Sequence, residues 1–419
     1  MRILVVSNEP FSDSSSNGRT IKNLMSCFKK EELAQFYIHG EPDYSVCDHY
    51  FCVSDSDALK AFKTGKRANG EARTQSSSVA KPIRPARERN AVTMIARDCI
   101  WNSMRWAGDD FYRWIDEFSP EVILLQAGDC AFMFRLARKL ASRYALPLVI
   151  YNSESYYFKK YDYFCSSGFS KWLYPIFHSH FRKEFKKTIK QAQTSIYLCD
   201  KLKQDYDAEF DLPSDVIYTA TQMSPVENFE RNGDITISYL GNLGVGRHEG
   251  LIEIANALQT ISPKLFLDVY GRIPNDSVEE AFKQCSGIRY KGFVSYDEVV
   301  RIMHSSDILV HTENFSDFYI EDLKYAFSTK IADTLASGVC FVLYAPGSMA
   351  CTEYLTKNHA AYVISEKEEL LPVLSQLIVN PCARDKYILN ALTLAQENHN
   401  GEKNAAKFRK IIQNQLDNE

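Results

Sequence analysis

Nowhere in this sequence of 419 residues does an apolar run approach the ~20 residues needed to cross a bilayer. The opening MRILVVSNEP has too few apolar residues for the core of a signal peptide and reads instead as a buried first strand. No C-x-x-C pair occurs, and the eleven cysteines are odd in number and scattered. That pattern argues against a zinc ribbon and against a secreted disulfide framework, so a reducing cytoplasm is the expected compartment. No internal repeat is found at a period of about 20 to 50 residues. Strong net charge is missing too, the formal balance being −4. It is unevenly spread, because residues 60–105 hold eleven Lys or Arg against three acids.

What remains is an ordinary globular composition, 45% hydrophobic and 24% charged, in a chain long enough for two cores. Short β-rich apolar runs alternate with helical patterns, as in parallel α/β units. The first half offers RILVVS, QFYIHG, YFCVSD, VILLQA, PLVIYN, SIYLC and DVIYTA as strands, with helices near 20–30, 129–143 and 171–192. SPVENFERNGD breaks the pattern and reads as a linker, after which ITISYLGNL, LFLDVYGR, IRYKGFV, DILVHTE, VCFVLYA and AAYVIS restart it. The expected domains are therefore 1–225 and 234–395, with a last helix, 396–419, crossing back onto the first. Residues 64–89 lack periodicity and read as a flexible basic loop, followed by the aromatic amphipathic stretch CIWNSMRWAGDDFYRWIDEF.

In open parallel sheets ligands collect beyond the C-terminal ends of the strands. In the second domain the first strand runs into GNLGVGRHEG, a glycine-rich turn that lets backbone approach a phosphate, with Arg247 as a planar donor fork. By itself such a turn is as often a plain strand-to-helix connection. Further on, YAFSTKIADTLASG predicts a helix of about three turns, capped by Ser328 or Thr329 and stopped at Gly338. Lys330 then lies against the positive end of the helix dipole and calls for a negative partner. Asp333 reads equally as its i to i+3 ion-pair partner or as an acceptor for ribose hydroxyls. HTE puts His311 and Glu313 at the end of the preceding strand.

In their order, SYLGNLGVGR, DVYGR, YKGFVSYDEVVRIMHSSDILVHTE and FSTKIADTLASGVCFVLYAP resemble the donor-domain motifs of nucleotide-sugar glycosyltransferases of the GT-B fold, family 4 in particular, of the type that builds bacterial surface polysaccharides. The resemblance implies two Rossmann-like α/β domains with parallel sheets facing a central cleft, the first of them on the acceptor side. It assigns Gly244, Arg247 and Lys330 to the donor diphosphate, with Ser328 and Thr329 beside it. Asp333 aligns with the ribose-binding member of the family's pair of glutamates, while Tyr325 stands where the other would be, and Glu313 is the replacement that would touch the donor sugar. In the first domain SNEPFSDSSSNGRTIKNL resembles the family's first loop and points to Gly18 and Arg19, against the alternative of a serine-rich surface loop. Glu154, in VIYNSESYY, is the carboxylate placed to take the acceptor hydroxyl's proton, with Asp129 as second candidate.

Two decoys are set aside. Asp55-Ser56-Asp57 is a D-x-D triplet, which metal-dependent glycosyltransferases of the other major fold use, but SDSDALKAF reads better as a capped helix start. His178 and His180 lie two apart and face different ways on a helix. The expectation is a metal-independent hexosyltransferase-like enzyme without cofactor, using a nucleotide diphosphate sugar and a glycan or lipid-linked acceptor. Nucleic acid is not an expected partner. An anionic membrane surface is, through residues 60–105 with Trp101 and Trp106, so that the protein would be peripheral on the inner face of the membrane. A sugar-nucleotide epimerase or hydrolase of the same fold, and a non-catalytic nucleotide-binding subunit, are the alternatives.

Overall fold

A strand that is apolar at successive positions has no face to give to water, so it belongs inside a sheet covered on both sides. ILVV, LAQFY, VILLQA and LVIYN meet that condition, and every residue in them is buried. The computed structural model describes residues 1–13, 15–65, 71–73, 89–226 and 234–417. They form two compact units, Met1–Tyr218 with Glu402–Glu419, and Thr219–Gly401.

In the first unit the strands are β1 (Ile3–Val6), β2 (Leu33–Tyr37), β3 (His49–Cys52), β4 (Glu71–Arg73), β5 (Val122–Ala127), β6 (Leu148–Asn152), β7 (Thr194–Tyr197) and β8 (Ser214–Val216). They lie in the order β4-β3-β2-β1-β5-β6-β7-β8, parallel throughout except for β4 against β3. The second unit has β9 (Ile237–Leu240), β10 (Leu267–Tyr270), β11 (Ile288–Gly292), β12 (Ile308–Thr312), β13 (Cys340–Tyr344) and β14 (Tyr362–Ile364), in the order β11-β10-β9-β12-β13-β14, all parallel. The α/β class with two parallel sheets is the one expected from the alternation of patterns. Each sheet starts in its interior, grows outward on one side and then on the other. The direction of winding reverses between β1 and β5 in one unit and between β9 and β12 in the other. Crevices open at the C-terminal ends of strands at such points.

The helix Gly168–Ile189 buries Tyr174, Phe177, Phe181 and Phe185 in the first unit, and Phe134 of the helix Ala131–Tyr144 meets Phe181 edge-on at 5.5 Å. The last helix, Gly401–Asp417, puts Phe408, Ile411 and Ile412 into the first unit's core, where Phe408 meets Phe28 at 6.3 Å.

The basic interval needs correcting. Residues 66–70 and 74–88 lie outside the described residues, but those on either side are helical, Asp55–Thr64 and Ala91–Asn102. Trp101 and Trp106 are both 1% exposed. Trp101 stacks on Phe132 at 4.7 Å, and Trp106 donates its indole N–H to the Trp101 carbonyl at 2.9 Å. Burying such rings stabilises by about 2–3 kcal/mol each relative to leaving them in water. They are core residues and offer nothing to a membrane. The amphipathic stretch that contains them breaks at Met104, which takes a left-handed φ of 54°, and resumes as the helix Asp109–Phe118.

Candidate functional site

At the second unit's reversal point β9 ends in the glycine turn. Asn242 organises it: its Oδ1 accepts from the Gly244 N–H at 2.9 Å and its carbonyl from the Tyr239 hydroxyl at 2.7 Å. Val245 and Gly246 both have positive φ, and a Cβ on Gly246 would come within 2.4 Å of Asn314 Nδ2, which donates to the Gly246 carbonyl at 3.0 Å. The turn is thereby fastened to the segment leaving β12. Immediately after it the helix Arg247–Ile261 begins, with no side-chain cap.

Arg247 is buried, and its fork closes on Glu313: Nε to Oε2 is 2.9 Å and Nη2 to Oε1 is 2.6 Å. His311 Nε2 stands 3.0 Å from the same Oε1. Burial alone would push the Glu313 carboxyl up, but Arg247 and His311 outweigh it and hold the group at about 2. Burial pulls His311 below its ordinary value despite the carboxylate beside it. The residues expected on the diphosphate and on the donor sugar are thus brought onto each other, as a buried pair of zero net charge. Sequence reasoning placed both at this edge but did not pair them, since they stand 66 positions apart.

The second cluster lies on the helix Thr329–Ala336. Ser328 is its N-cap, accepting from the Lys330 N–H at 3.3 Å, and Thr329 is exposed within the first turn. The negative partner that Lys330 calls for is present: Nζ lies 2.8 Å from Asp333 Oδ2 and 5.2 Å from the centre of the Tyr296 ring. Asp333 is itself buried, and its Oδ1 accepts from Thr221 at 2.6 Å. The pair is therefore more than a surface bridge. Thr221 and Tyr296 escaped the sequence reading because nothing local to either marks a contact with Asp333. Tyr325 is buried.

At the first unit's reversal point Ser15 caps the helix Ser16–Leu24 by accepting from the Gly18 N–H at 3.0 Å. A Cβ on Gly18 would sit 2.8 Å from the Pro10 carbonyl oxygen, so glycine is required here by close backbone packing. Arg19 extends into solvent and donates to the Asp13 carbonyl at 2.7 Å. Glu154 is exposed in the loop after β6 and takes a hydrogen bond from Tyr156, whose hydroxyl is pushed well up by burial and then by that carboxylate. Asp129, after β5, is buried, ion-paired to Arg89 and 3.5 Å from the Tyr163 hydroxyl. Two further side chains were missed: Asn8 and Asn152, past the end of β1 and at the end of β6, each hold a buried Oδ1 with no hydrogen-bond partner among the described residues. A polar residue closing an apolar run was the only signal for them. The D-x-D triplet is structural, as Asp57 completes a capping box with Ser54 and Asp55 accepts from Arg97 and from the Trp101 indole at 2.7 Å each.

Residues 247–410 match the family model for a glycosyl transferase-like domain. Among solved structures the chain is similar over 100% of both chains to the sucrose-phosphate synthase of Thermosynechococcus elongatus, with a TM-score of 0.64 at 10% identity. It is similar to Anabaena HepE crystallised with UDP, with a TM-score of 0.64 at 9% identity over 99% of this chain and 100% of that one. WaaG, a glycosyltransferase involved in lipopolysaccharide biosynthesis, gives 0.57 at 12% identity over 97% of this chain and 99% of that one. No curated protein matches the sequence.

Proposed function

We propose that this chain, a glycosyltransferase of the GT-B fold, moves a sugar from a nucleoside diphosphate sugar to an acceptor hydroxyl, in the synthesis of a cell-surface polysaccharide or a lipid-linked glycan. The observation that carries the reading is the pair of cation–carboxylate clusters, Arg247–Glu313–His311 and Lys330–Asp333–Thr221, at the C-terminal ends of the second unit's strands, inside the span that matches the glycosyl transferase-like model. HepE, which shares the fold, was crystallised with UDP, and UDP carries the two groups these clusters suit, phosphates and ribose hydroxyls.

The roles divide by exposure. Lys330, with 24% of its side chain exposed, is the accessible cation and takes the departing diphosphate together with the amides of its own first turn. Asp333, 7% exposed, keeps its place through Thr221 and receives the ribose hydroxyls. The Arg247–Glu313 pair holds the glycine turn and Gly244 in position and presents the outer edge of Glu313 to the donor sugar. Gly18 and Arg19 approach the phosphates from the first unit's first loop. As the acceptor oxygen bonds to the anomeric carbon, the carbon–oxygen bond to the diphosphate breaks and the acceptor proton passes to Glu154.

The test is turnover of a panel of nucleotide sugars with and without a membrane extract as acceptor source. Acceptor-dependent release of nucleoside diphosphate is expected. Lys330→Ala should lower kcat/KM by roughly 30-fold to 1000-fold, the loss of a charge-assisted contact of ~2–4 kcal/mol to the departing group. Isomerised sugar without acceptor, nucleotide binding without any turnover, or full activity in folded Lys330→Ala would each overturn the reading.

A further inference from the structure

The helix Gly168–Ile189 sends its aromatic face into the core, and its opposite stripe reads Phe169, Trp172, Ile176, Ser179, Lys183, Lys187, Lys190, spaced by threes and fours along one side. Three large apolar side chains come first, and they are in water: Phe169 is 73% exposed, Trp172 81% and Ile176 61%. Single exposed hydrophobics are ordinary, but three in succession on one stripe form a patch. The lysines come second. Lys187 pairs with Glu184 at 3.0 Å, while Lys183 and Lys190 have no ion-pair partner among the described residues. Lys171, Arg182 and Lys186 flank the stripe, and the helix has a single acid, Glu184, which is buried and held by Arg135 and Arg138.

We propose that this stripe docks the protein on an anionic bilayer surface, with Phe169, Trp172 and Ile176 seated at the boundary between headgroups and acyl chains and Lys183, Lys187 and Lys190 over lipid phosphates. Aromatic tips beside a basic run are the composition of an interfacial helix face. The charge is opposite in sign to that of the whole chain, which is −4, so attraction depends on this local patch. A second copy of the chain fits less well: the three side chains offer roughly 400–600 Å² of apolar surface, against about 800 Å² per partner in a stable interface. The stripe also has the right position. Its apolar end belongs to the helix N-terminus, which follows the loop leaving β6, and that loop carries Glu154. A bilayer seated there lies beside the end of the first unit to which the acceptor was assigned, so the acceptor class becomes a lipid-linked glycan. The inference rests on the transferase reading for that last step and on the stripe alone for the docking.

The experiment is flotation with phosphatidylcholine vesicles, with and without about one third phosphatidylglycerol, for the full chain, for Phe169→Ala/Trp172→Ala and for Lys183→Glu/Lys190→Glu, alongside sedimentation without lipid. Wild type should float with the anionic vesicles and be released by high salt. The aromatic variant should bind at least about tenfold more weakly, and the lysine variant about 25-fold more weakly, at about fivefold per cationic contact. All these residues are exposed, and unchanged melting curves would show that the folds are intact. Wild-type flotation by both variants, absence of flotation by wild type, or a dimer abolished by the same substitutions would each overturn the proposal. Flotation needs no donor: docking that persists in a protein without transferase turnover leaves this surface standing and removes the transferase reading, and transfer without docking does the reverse.

Discussion

The C-terminal edges of the two sheets are built differently. In the second unit every acidic group assigned a role is buried and matched: Glu313, 1% exposed, by Arg247 and His311, and Asp333 by Lys330 and Thr221. In the first unit Glu154 stands in solvent beside a tyrosine, Arg19 in solvent beside Asp13, and the one buried acid, Asp129, is paired with Arg89, whose side chain is 55% exposed. A matched, buried edge keeps one geometry and suits a ligand part that never varies, such as ribose diphosphate. An edge of exposed groups on loops adapts more readily, as recognition of an acceptor requires.

The sharpest way to break this contrast is to unpair the buried bridge. Arg247→Ala leaves Glu313 charged and uncompensated in the interior, which should cost about 3–5 kcal/mol of the second unit's stability. Replacing both partners with apolar residues, Arg247→Met with Glu313→Leu, should recover most of that loss while nucleotide-sugar turnover stays abolished. Urea unfolding and turnover on the same samples separate the two effects. If the double variant is fully active, the pair is scaffolding only and the donor roles of Arg247 and Glu313 fall.

How far the sequence could carry this is clear from the same residues. Periodicity and turn chemistry are local, so the parallel strands, the glycine turn and the Ser328 cap were all legible before any coordinates. Pairing is not local. Arg247 and Glu313 stand 66 positions apart and Thr221 and Asp333 stand 112 apart, and no pattern within either segment reports the other. Lys330 is the intermediate case: its place in the first turn signalled a missing negative charge, and the partner turned out to be three residues away. Trp101 and Trp106 show the opposite failure, in which an amphipathic pattern was assigned to a membrane although its apolar face packs inward. The exposed stripe at Phe169 was hidden inside an ordinary helical pattern, because apolar residues occur on both of that helix's faces.

A second difference between the units is their response to acid. His399, in the second unit, is fully buried between the Thr219 carbonyl at 2.7 Å and the Tyr354 hydroxyl at 3.0 Å. Burial lowers it from an ordinary 6.5 to about 4, so between those values the unfolded chain takes up a proton that the folded chain refuses. Its contribution is complete above about pH 6.5 and is lost as the pH falls through about 4, a loss of roughly 3 kcal/mol. Glu313 adds a further loss in the same direction between about 4.5 and 2. The first unit contributes less to the upper window, where His178, half-buried, is the one histidine whose value is shifted down. Unfolding followed at about pH 7 and about pH 4.5 should therefore show the second unit weakening first. His399→Phe should flatten that dependence at some loss of stability at neutral pH. A slope unchanged in His399→Phe would move the effect elsewhere.

The smallest effect expected concerns the first unit's acids, and it decides whether a metal belongs to the comparison at all. Asp55 and Asp57 have the spacing of a cation-binding triplet, yet each carboxylate already has a structural task. Asp57 accepts from the Ser54 N–H at 3.2 Å while its own N–H donates to Ser54 Oγ at 3.2 Å, and Asp55 joins Arg97 to the Trp101 indole. Pulling either acid onto a cation would uncap a helix or strip Arg97 of its partner. Asp57→Ala should thus behave as the loss of a cap and an N-terminal charge, costing ~1 kcal/mol. Turnover should be unchanged, and EDTA should leave both wild type and variant active, because Lys330 and the helix amides carry the diphosphate charge. A wild-type activity lost to EDTA, restored by manganese and absent in Asp57→Ala, would transfer the phosphate role from the second unit's matched edge to the first unit's acids and reverse the contrast between them.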